Sequence, residues 1–203
     1  MKKMKVVLPL FYFPPISWFK EFLKSDNEIV LEQFEHFPKQ TYRNRTNIYA
    51  ANGKLSLIIP TQHKGKQAMK DIEISYAEDW QKQHWKSITS AYQASPYFEY
   101  YELKLAKIFN SQPKTLFELN LKCLEVVLDI LKIEKEFSLS SDYESLPAEE
   151  DFRSKFSAKS DSDEVFPEYY QTFSDKDGFI KNLSVLDLIC NLGPESRAYI
   201  NNL

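Results

Sequence analysis

The chain has 203 residues, of which 43% are hydrophobic and 27% charged, an ordinary composition for one globular domain. Its net charge of -3 argues against nucleic acid as the main partner, because neutralising phosphates requires a basic surface. Only 4 glycines are present, and inspection excludes a dinucleotide-binding fingerprint and a P-loop. No apolar run approaches the roughly 20 residues of a membrane span, so we expect a cytoplasmic protein without membrane insertion.

The first sixty residues predict a small sheet. Residues 5–11 and 28–32 have the composition of buried strands, and Pro14-Pro15 opens a helix between them. This β-α-β order favours parallel pairing of the two strands. Between residues 44 and 60, Asn52-Gly53 separates two strand-like runs, which predicts a hairpin with two positive φ values in a type I′ turn.

A further strand at 70–74 and several helices are predicted next. The capping-box pattern places helix starts at Ser75 with Glu78, Thr115 with Glu118, and Ser184 with Asp187; another helix follows Pro96. Asp187 is therefore interpreted as a capping residue. The C-terminal helices are predicted at 185–192 and 195–201, with Gly193-Pro194 as the stop signal between them.

These elements predict an α/β fold. A small sheet, made of an N-terminal β-α-β unit and a β-hairpin, is packed with a helical half in a single domain that spans residues 1–203. Segment 140–164 differs in composition, with eight acidic and three basic residues. We expect it to be a flexible, solvated acidic segment, or alternatively a mobile lid.

Residues 39–45 (KQTYRNR) contain three cations and no acid. In an extended strand, the period of two places Lys39, Arg43 and Arg45 on one face. Neighbouring arginines suit bidentate binding of phosphate or carboxylate, which predicts an anion site. The alternative is a solvated edge strand whose cations prevent edge pairing. The substrate-binding candidates in this segment are Lys39, Tyr42, Arg43, Asn44 and Arg45.

Glu32 ends the second predicted strand, at the edge where open α/β sheets bind ligands. It is a candidate catalytic base, and the alternative is an exposed acid at a strand end. We expect Arg43 or Arg45 to line a cavity or to form a buried ion pair with Glu32 or Glu35. Tyr12, just after the first strand, is a candidate for substrate binding, unless it only packs on the first helix.

His84 shares an apolar helix face with Trp80 and Ile88, because these residues are spaced four apart. It is a second catalytic candidate, and the alternative is a hydrogen-bonded core histidine. Tyr170 and Gln171 are candidates for binding a polar substrate, unless they form a strand edge.

No metal site is predicted, because the histidines are scattered and the cysteines lack ligand spacing. Cys123 and Cys190 lie in apolar helical patterns and are expected to be reduced, buried thiols. No motif identifies a cofactor, which remains unknown.

Several motifs in combination resemble the WbqC-like family. They extend from about residue 6 to 200 and comprise Tyr12-Phe13-Pro14-Pro15-Ile16-Ser17-Trp18-Phe19, Lys39-Gln40-Thr41-Tyr42-Arg43-Asn44-Arg45, Trp80 with His84-Trp85, Ser95-Pro96-Tyr97-Phe98-Glu99-Tyr100-Tyr101, and Leu183-Ser184-Val185-Leu186-Asp187-Leu188 with Gly193.

The resemblance implies a bacterial protein whose relatives often occur in surface-polysaccharide (O-antigen) gene loci. Longer relatives have a segment containing Gly and Tyr where this chain has 140–164, and more often have Gln-Pro where it has Leu8-Pro9. If that segment shapes an acceptor site, its absence implies another substrate or a loss of activity.

Two functional hypotheses follow. The first is a cytoplasmic enzyme of sugar or acyl-group transfer in surface-polysaccharide biosynthesis, whose basic residues hold the phosphate or carboxylate of a small-molecule donor while Glu32 or His84 exchanges protons. The alternative is a non-catalytic binding module that recognises an anionic metabolite or a partner protein. The sequence does not predict the oligomeric state.

Overall fold

The structure of the chain is a computed structural model that describes residues 4–24, 27–62, 65–159 and 164–203. The described residues form the mixed α/β fold that was predicted. The elements in chain order are β1 (Met4–Pro9), α1 (Ile16–Leu23), β2 (Asn27–Glu32), β3 (Arg45–Ala50), β4 (Gly53–Ile58), α2 (Trp80–Tyr92), α3 (Phe98–Phe109), α4 (Leu116–Leu131), β5 (Phe137–Leu139), α5 (Ser174–Asp177), α6 (Val185–Leu192) and α7 (Ser196–Asn201).

The N-terminal β-α-β unit is confirmed. β1 and β2 pair in parallel, from Met4 opposite Asn27 to Pro9 opposite Glu32, and the short β5 extends the sheet in the order β1-β2-β5. The composition of 137–139 did not predict β5. Because all three strands are parallel, their carboxyl ends, including Glu32, lie at one edge of the sheet.

The hairpin of β3 and β4 is confirmed, but its predicted turn geometry is wrong. Ala50 pairs with Gly53, so Ala51 and Asn52 form the loop. Gly53 has φ +91°, whereas Asn52 is not among the residues with positive φ. A turn followed by one glycine in the left-handed region is a common alternative to the type I′ hairpin, since only glycine adopts that φ without strain.

Two other predicted strands are wrong. Among residues 39–45 only Arg45 belongs to a strand; the preceding residues form turns, with φ +60° at Gln40, so the predicted two-faced arrangement does not exist. At 70–74, a 3-10 helix covers Met69–Asp71 and is followed by isolated bridges. The amide of Lys70 donates to the carbonyl of Gln33, which ties this segment to the chain after β2 instead of to a strand partner.

One of the three capping boxes is confirmed. At the start of α4, Thr115 Oγ1 accepts from the amide of Glu118 (3.2 Å), and the Glu118 carboxylate accepts from the amide of Thr115 (3.1 Å). α2 instead begins at Trp80, and Asp79 caps it by accepting from the amide of Lys82. The start predicted at Ser75 is therefore wrong.

At the start of α6, half of the predicted box is present. Ser184 Oγ accepts from the amide of Leu186 (3.2 Å), but the Asp187 carboxylate does not contribute to the cap. Gly193 ends this helix with φ +55°, and a side chain there would collide with the ring of Tyr97. The stop signal at Gly193-Pro194 is thus confirmed, and α7 follows it at Ser196–Asn201.

The link between β1 and α1 is strained at Phe13, which has φ +41° and is fully buried. A positive φ at a bulky residue costs about 1–3 kcal/mol and persists only where neighbours hold it. The carbonyl of Phe13 accepts hydrogen bonds from Thr46 Oγ1 (2.8 Å) and Ser184 Oγ (3.1 Å). These contacts join the N-terminal turn to β3 and to the start of α6.

Segment 140–164 contains packed structure as well as exposed chain. The amide of Val7 donates to the carbonyl of Glu150 (2.8 Å), and the amide of Phe152 donates to the carbonyl of Val7 (2.9 Å), so the segment pairs with the outer edge of β1. Arg153 is 7% exposed. Residues 160–163 lie outside the described part. Flexibility of the whole segment stays a prediction.

Candidate functional site

A buried ion pair joins the chain after β2 to the turn before β3. Arg43 Nε and Nη2 donate to the two carboxylate oxygens of Glu35 at 2.7 and 2.6 Å. Arg43 is 2% exposed and Glu35 6%. This bidentate geometry is the strong form of an arginine–carboxylate contact. The prediction that Arg43 or Arg45 forms a buried ion pair with Glu32 or Glu35 is confirmed for Arg43.

A second arginine extends this pair into a cluster. Arg153 Nε and Nη2 donate to Asp151 at 2.7 and 2.6 Å, and its Nη1 donates to Glu32 at 3.2 Å. Arg43 Nη2 also donates to the backbone carbonyl of Arg153 (2.9 Å). We call Glu32, Glu35, Arg43, Asp151 and Arg153 the ion-pair cluster. It fixes segment 150–153 to the carboxyl edge of the sheet.

Glu32 is a structural member of this cluster. In addition to Arg153, its carboxylate accepts from the amide of Phe34 (2.7 Å) and from Ser140 Oγ (2.8 Å), and it is 1% exposed. A base must reach the proton it removes. With both oxygens engaged and almost no exposure, Glu32 is poorly placed for the catalytic role suggested for it, which stays a prediction.

Within the cluster, the pKa values of two carboxyl groups are shifted in opposite directions. Burial raises the pKa of Glu35, and the charge and hydrogen bonds of Arg43 offset this only in part. The hydrogen bonds from Arg153 lower the pKa of Asp151, which is more exposed. The same contacts raise the pKa of Arg153, so it stays a cation.

A cavity of about 580 Å³ lies beside the cluster, and Arg45 lines it. Its walls come from residues 36–45 and from the chain after β4. The amide of Phe37 donates to the carbonyl of Gln67 (3.1 Å), and the amide of Ile59 donates to the carbonyl of Asn44 (2.8 Å). The described residues that line this cationic cavity are His36, Phe37, Lys39, Gln40, Asn44, Arg45, Thr61, Gln62, Gly65, Lys66, Gln67 and Ile72.

The cationic cavity has basic side chains and, among its described lining residues, no carboxylate. Lys39, Arg45 and Lys66 have no ion-pair partner within the described part of the chain. Arg45 Nε and Asn44 Oδ1 are buried and have no hydrogen-bond partner there. Buried polar atoms without partners are uncommon in folded proteins, since each costs free energy. The cavity is therefore suited to an anion.

A second depression of about 700 Å³, the neighbouring cleft, lies on the other side of residues 36–40. His36, Lys39 and Gln40 line both spaces. The ion-pair cluster contributes Glu35, Arg43, Asp151 and Arg153 to the cleft, and Lys159 lies among its other lining residues. Two of the predicted binding residues, Lys39 and Arg43, are therefore close to one another, with Asn44 and Arg45 in the adjoining cavity.

His84 lies on the inner face of α2, as predicted, and is 6% exposed. Tyr12 Oη and His84 Nδ1 are 3.0 Å apart, and the carbonyl of Ile58 bonds the same ring. Burial lowers the pKa of His84 to about 4, so the imidazole is neutral at pH 7. Trp80 packs edge-on against it, with ring centroids 5.1 Å apart.

Tyr12 and His84 do not line the cationic cavity or the neighbouring cleft. Tyr12 is fully buried, and Tyr42, which is 6% exposed, packs its ring against Phe11 at 5.7 Å. These three candidates therefore lie in the core, apart from Lys39, Asn44 and Arg45. Their suggested roles in catalysis and binding stay predictions.

Gln171 belongs to a separate buried group, the C-terminal polar network of Tyr169, Gln171 and Asp187. Asp187 Oδ2 accepts from Tyr169 Oη (2.6 Å) and Gln171 Nε2 (2.8 Å). Burial raises the pKa of Asp187 to about 6 despite these hydrogen bonds. The interpretation of Asp187 as a capping residue is thus wrong. Gln171 is fully buried, whereas its neighbour Tyr170 is 56% exposed; neither lines the cationic cavity or the cleft.

A third surface depression, of about 1120 Å³ and so larger than the cationic cavity and the cleft, lies at the opposite edge of the sheet. Its cations include Lys20 and Lys24, which pair with Glu164 (3.4 Å) and Glu21 (2.7 Å). Glu28, Glu134 and Glu136 also line it. Because both charge signs alternate there, it lacks the single-sign field that marks the cationic cavity.

The described residues contain neither a metal-binding cluster nor a membrane-spanning helix. No group of histidine, cysteine and acidic side chains there is arranged to hold a metal ion. None of the helices in the same part of the chain combines the length and apolarity that crossing a bilayer requires.

Sequence reasoning missed four residues near the site: His36, Lys66, Asp151 and Arg153. His36 and Lys66 approach Arg45 only because two distant loops face each other. Asp151 and Arg153 belong to a segment whose charge and serine content predict a solvated loop. One signal was available for Arg153: it lies between Phe152 and Phe156, two aromatic residues that an exposed acidic loop does not need.

Fold and site together define an α/β protein with a cationic cavity beside a buried ion-pair cluster. The sequence profile of the WbqC-like protein family matches residues 11–165, and the chain belongs to this family. It is also similar to a protein of Mycobacterium tuberculosis (strain ATCC 25618 / H37Rv) named Uncharacterized protein Rv1507c, with 29% identity over an alignment of 229 positions, gaps included, that covers 98% of each chain. No solved structure matches the chain.

Proposed function

We propose that this WbqC-like protein is a cytoplasmic enzyme of sugar or acyl-group transfer in surface-polysaccharide (O-antigen) biosynthesis, and that the cationic cavity holds the phosphate or carboxylate of its donor. One observation carries the proposal. Lys39, Arg45 and Lys66 surround one cavity without a carboxylate among its described lining residues. Unpaired cations around a concave surface attract an anion and concentrate the field on it.

Two further features support the proposal. Family membership links the chain to the relatives that occur in surface-polysaccharide loci. Cys123 and Cys190 are free, buried thiols, which suits a reducing compartment such as the cytoplasm.

Proton exchange in this proposal falls to His36. It lines the cationic cavity and the cleft, and it is exposed, whereas Glu32 and His84 are buried and engaged in other hydrogen bonds. Imidazole is the side chain most often used for acid–base catalysis. His36 therefore takes the role that the sequence assigned to Glu32 or His84.

The second candidate function is a binding module without catalysis. The observation that favours it is the separation of Glu32 and His84 from the cationic cavity: neither side chain lines it. In this case the cavity recognises an anionic metabolite or an acidic group on a partner protein, and no group needs to exchange a proton.

Isothermal titration with inorganic phosphate at low ionic strength tests both candidates first, because salt screens exposed charges. Phosphate should bind the wild type, and Lys39→Ala should weaken it. Lys86→Ala is the matched control, since Lys86 is exposed on α2 and lines neither space. Absence of phosphate binding would remove the proposed site.

A turnover assay distinguishes the enzyme hypothesis from the binding-module hypothesis. Nucleotide sugars and acyl donors are incubated with the protein and candidate acceptors, and product is detected by mass spectrometry. The enzyme hypothesis predicts product that His36→Gln loses while phosphate binding is kept. Donor binding without product from any donor would favour the module.

A further inference from the structure

The cationic cavity and the neighbouring cleft share one wall. His36, Lys39 and Gln40 line both spaces, which measure about 580 and 700 Å³. Lys39 is exposed and has no ion-pair partner among the described residues, so its long side chain can turn toward either space. The two spaces are therefore neighbouring parts of one polar surface that meets at Lys39.

The cleft also offers donors that the ion-pair cluster leaves free. Arg43 uses Nε and Nη2 for Glu35 and for the carbonyl of Arg153, and its Nη1 has no partner among the described residues. Glu35 holds this guanidinium in one orientation, because the bidentate contact fixes its plane. Lys159, at the rim, is exposed and has no ion-pair partner in the same part of the chain.

A single phosphate does not account for all of these groups. Lys66 lines only the cationic cavity, Lys159 lines only the cleft, and Lys39 lies between them. An anion held by Lys66 and Arg45 in the cavity leaves Arg43 Nη1 and the Lys159 ammonium group of the cleft without an acceptor among the described residues. Acceptors on both sides of Lys39 would satisfy the two sets of donors at once.

We infer that the two spaces form one site for a ligand with two or more linked phosphate groups, with one phosphate in the cationic cavity, another in the neighbouring cleft, and Lys39 between them. The inference rests on the proposed anion site and adds the class of ligand. Linked phosphates supply acceptor oxygens along their whole length, whereas a single carboxylate supplies them at one place only. The organic part of the ligand then extends from one of its phosphates into the remaining volume of the cationic cavity or of the cleft.

Titrations of the full chain with inorganic orthophosphate and tripolyphosphate at low ionic strength test the inference. Three variants divide the site: Lys66→Ala affects the cavity, Lys159→Ala the cleft and Lys39→Ala both. Lys86→Ala controls for the loss of one surface charge. All four lysines are long surface side chains without ion-pair partners among the described residues, so the variants should fold, and melting curves check this.

Tripolyphosphate should bind at least tenfold more tightly than orthophosphate. Lys66→Ala, Lys39→Ala and Lys159→Ala should each weaken tripolyphosphate binding roughly two- to fivefold, the range for exposed charge contacts. Orthophosphate should respond to Lys66→Ala and Lys39→Ala but not to Lys159→Ala.

Two results would overturn the inference, and only the second would also contradict the proposed anion site. If Lys159→Ala leaves tripolyphosphate binding at the level of Lys86→Ala, the cleft does not take part, while the anion site of the proposed function stands. If neither orthophosphate nor tripolyphosphate binds the wild type, the proposed anion site fails too.

Discussion

Arg43 and Arg45 are two residues apart, but Arg43 lies among paired charges of both signs, whereas Arg45 lies among cations. Arg43 belongs to the ion-pair cluster, is 2% exposed and is held by both oxygens of Glu35. Arg45 lines the cationic cavity, has no carboxylate partner among the described residues, and keeps a buried Nε without an acceptor. Arginine therefore has two uses here: Arg43 joins two chain segments, and Arg45 faces a cavity.

The position of an acidic partner decides whether an arginine stabilises the fold or stays available for a ligand. Glu35 follows β2 and reaches Arg43 because the turns at 38–44 fold back over the carboxyl edge of the sheet. No acidic residue reaches Arg45 in the described structure. We therefore expect Arg43 to matter for stability and Arg45 for binding.

Replacing Arg43 should decrease the free energy of unfolding more than any other proposed substitution. Arg43→Ala leaves Glu35 buried without its counter-charge, and breaking a buried ion pair from one side costs about 3–5 kcal/mol. Urea denaturation should show this decrease in the free energy of unfolding. Replacing both partners, Arg43→Met with Glu35→Leu, should recover most of it, because no charge is then left unpaired. A loss below about 1 kcal/mol in Arg43→Ala would mean that the pair is open to water.

Asp187 differs from the carboxylates of the ion-pair cluster, because it is buried with neutral partners instead of a cation. Its pKa is raised from 3.8 to about 6, so the folded state binds this proton more tightly than the unfolded state. The resulting stability is present below about pH 4 and is lost as the pH rises through 6.

The pH dependence of stability that His84 contributes has the opposite sign to that of Asp187. Its pKa is lowered from 6.5 to about 4, so its contribution is present above pH 6.5 and lost as the pH falls toward 4. The two effects should largely cancel in the wild type. Asp187→Asn removes one of them, so its stability relative to the wild type should rise by roughly 2 kcal/mol between pH 4 and pH 7. Urea titrations at several pH values measure this difference, and a constant difference would contradict the assignment.

Local signals predicted much of the fold. Thr115 with Glu118, the two strands of the N-terminal unit and the hairpin depend on neighbours within a few residues, so composition and spacing were sufficient. The 3-10 helix at Met69–Asp71 was missed because its fold depends on Gln33, far away in the chain.

The site was predictable only in part, for the same reason. Charge alone drew attention to Lys39, Arg43 and Arg45, but which arginine is paired depends on Glu35 and on the path of the chain between them. Asp187 fitted the capping pattern, yet its carboxylate is occupied by Tyr169 and Gln171, which approach from a separate loop. Patterns within one helix do not contain such contacts.

Segment 140–164 offers a smaller, local test. The amide of Phe152 donates to the carbonyl of Val7, so hydrogen exchange should be slow there, whereas amides of exposed residues such as Glu149 should exchange quickly. Arg43→Ala removes the hydrogen bond to the carbonyl of Arg153 and should speed exchange at Phe152. Equal exchange rates along 140–159 would contradict the packing of this segment.

We expect Arg43 to stabilise the fold and Arg45 to bind the ligand. The most direct test measures a melting curve and a phosphate titration on the same samples of wild type, Arg43→Ala and Arg45→Ala. We predict that Arg45→Ala melts within about 3 °C of the wild type, a change of about 1 kcal/mol or less, and loses most of its phosphate affinity. Arg43→Ala should melt about 10 °C lower, in keeping with its larger free-energy loss. If Arg45→Ala instead melts as low as Arg43→Ala, or binds phosphate as the wild type does, the division of roles between these two arginines is wrong.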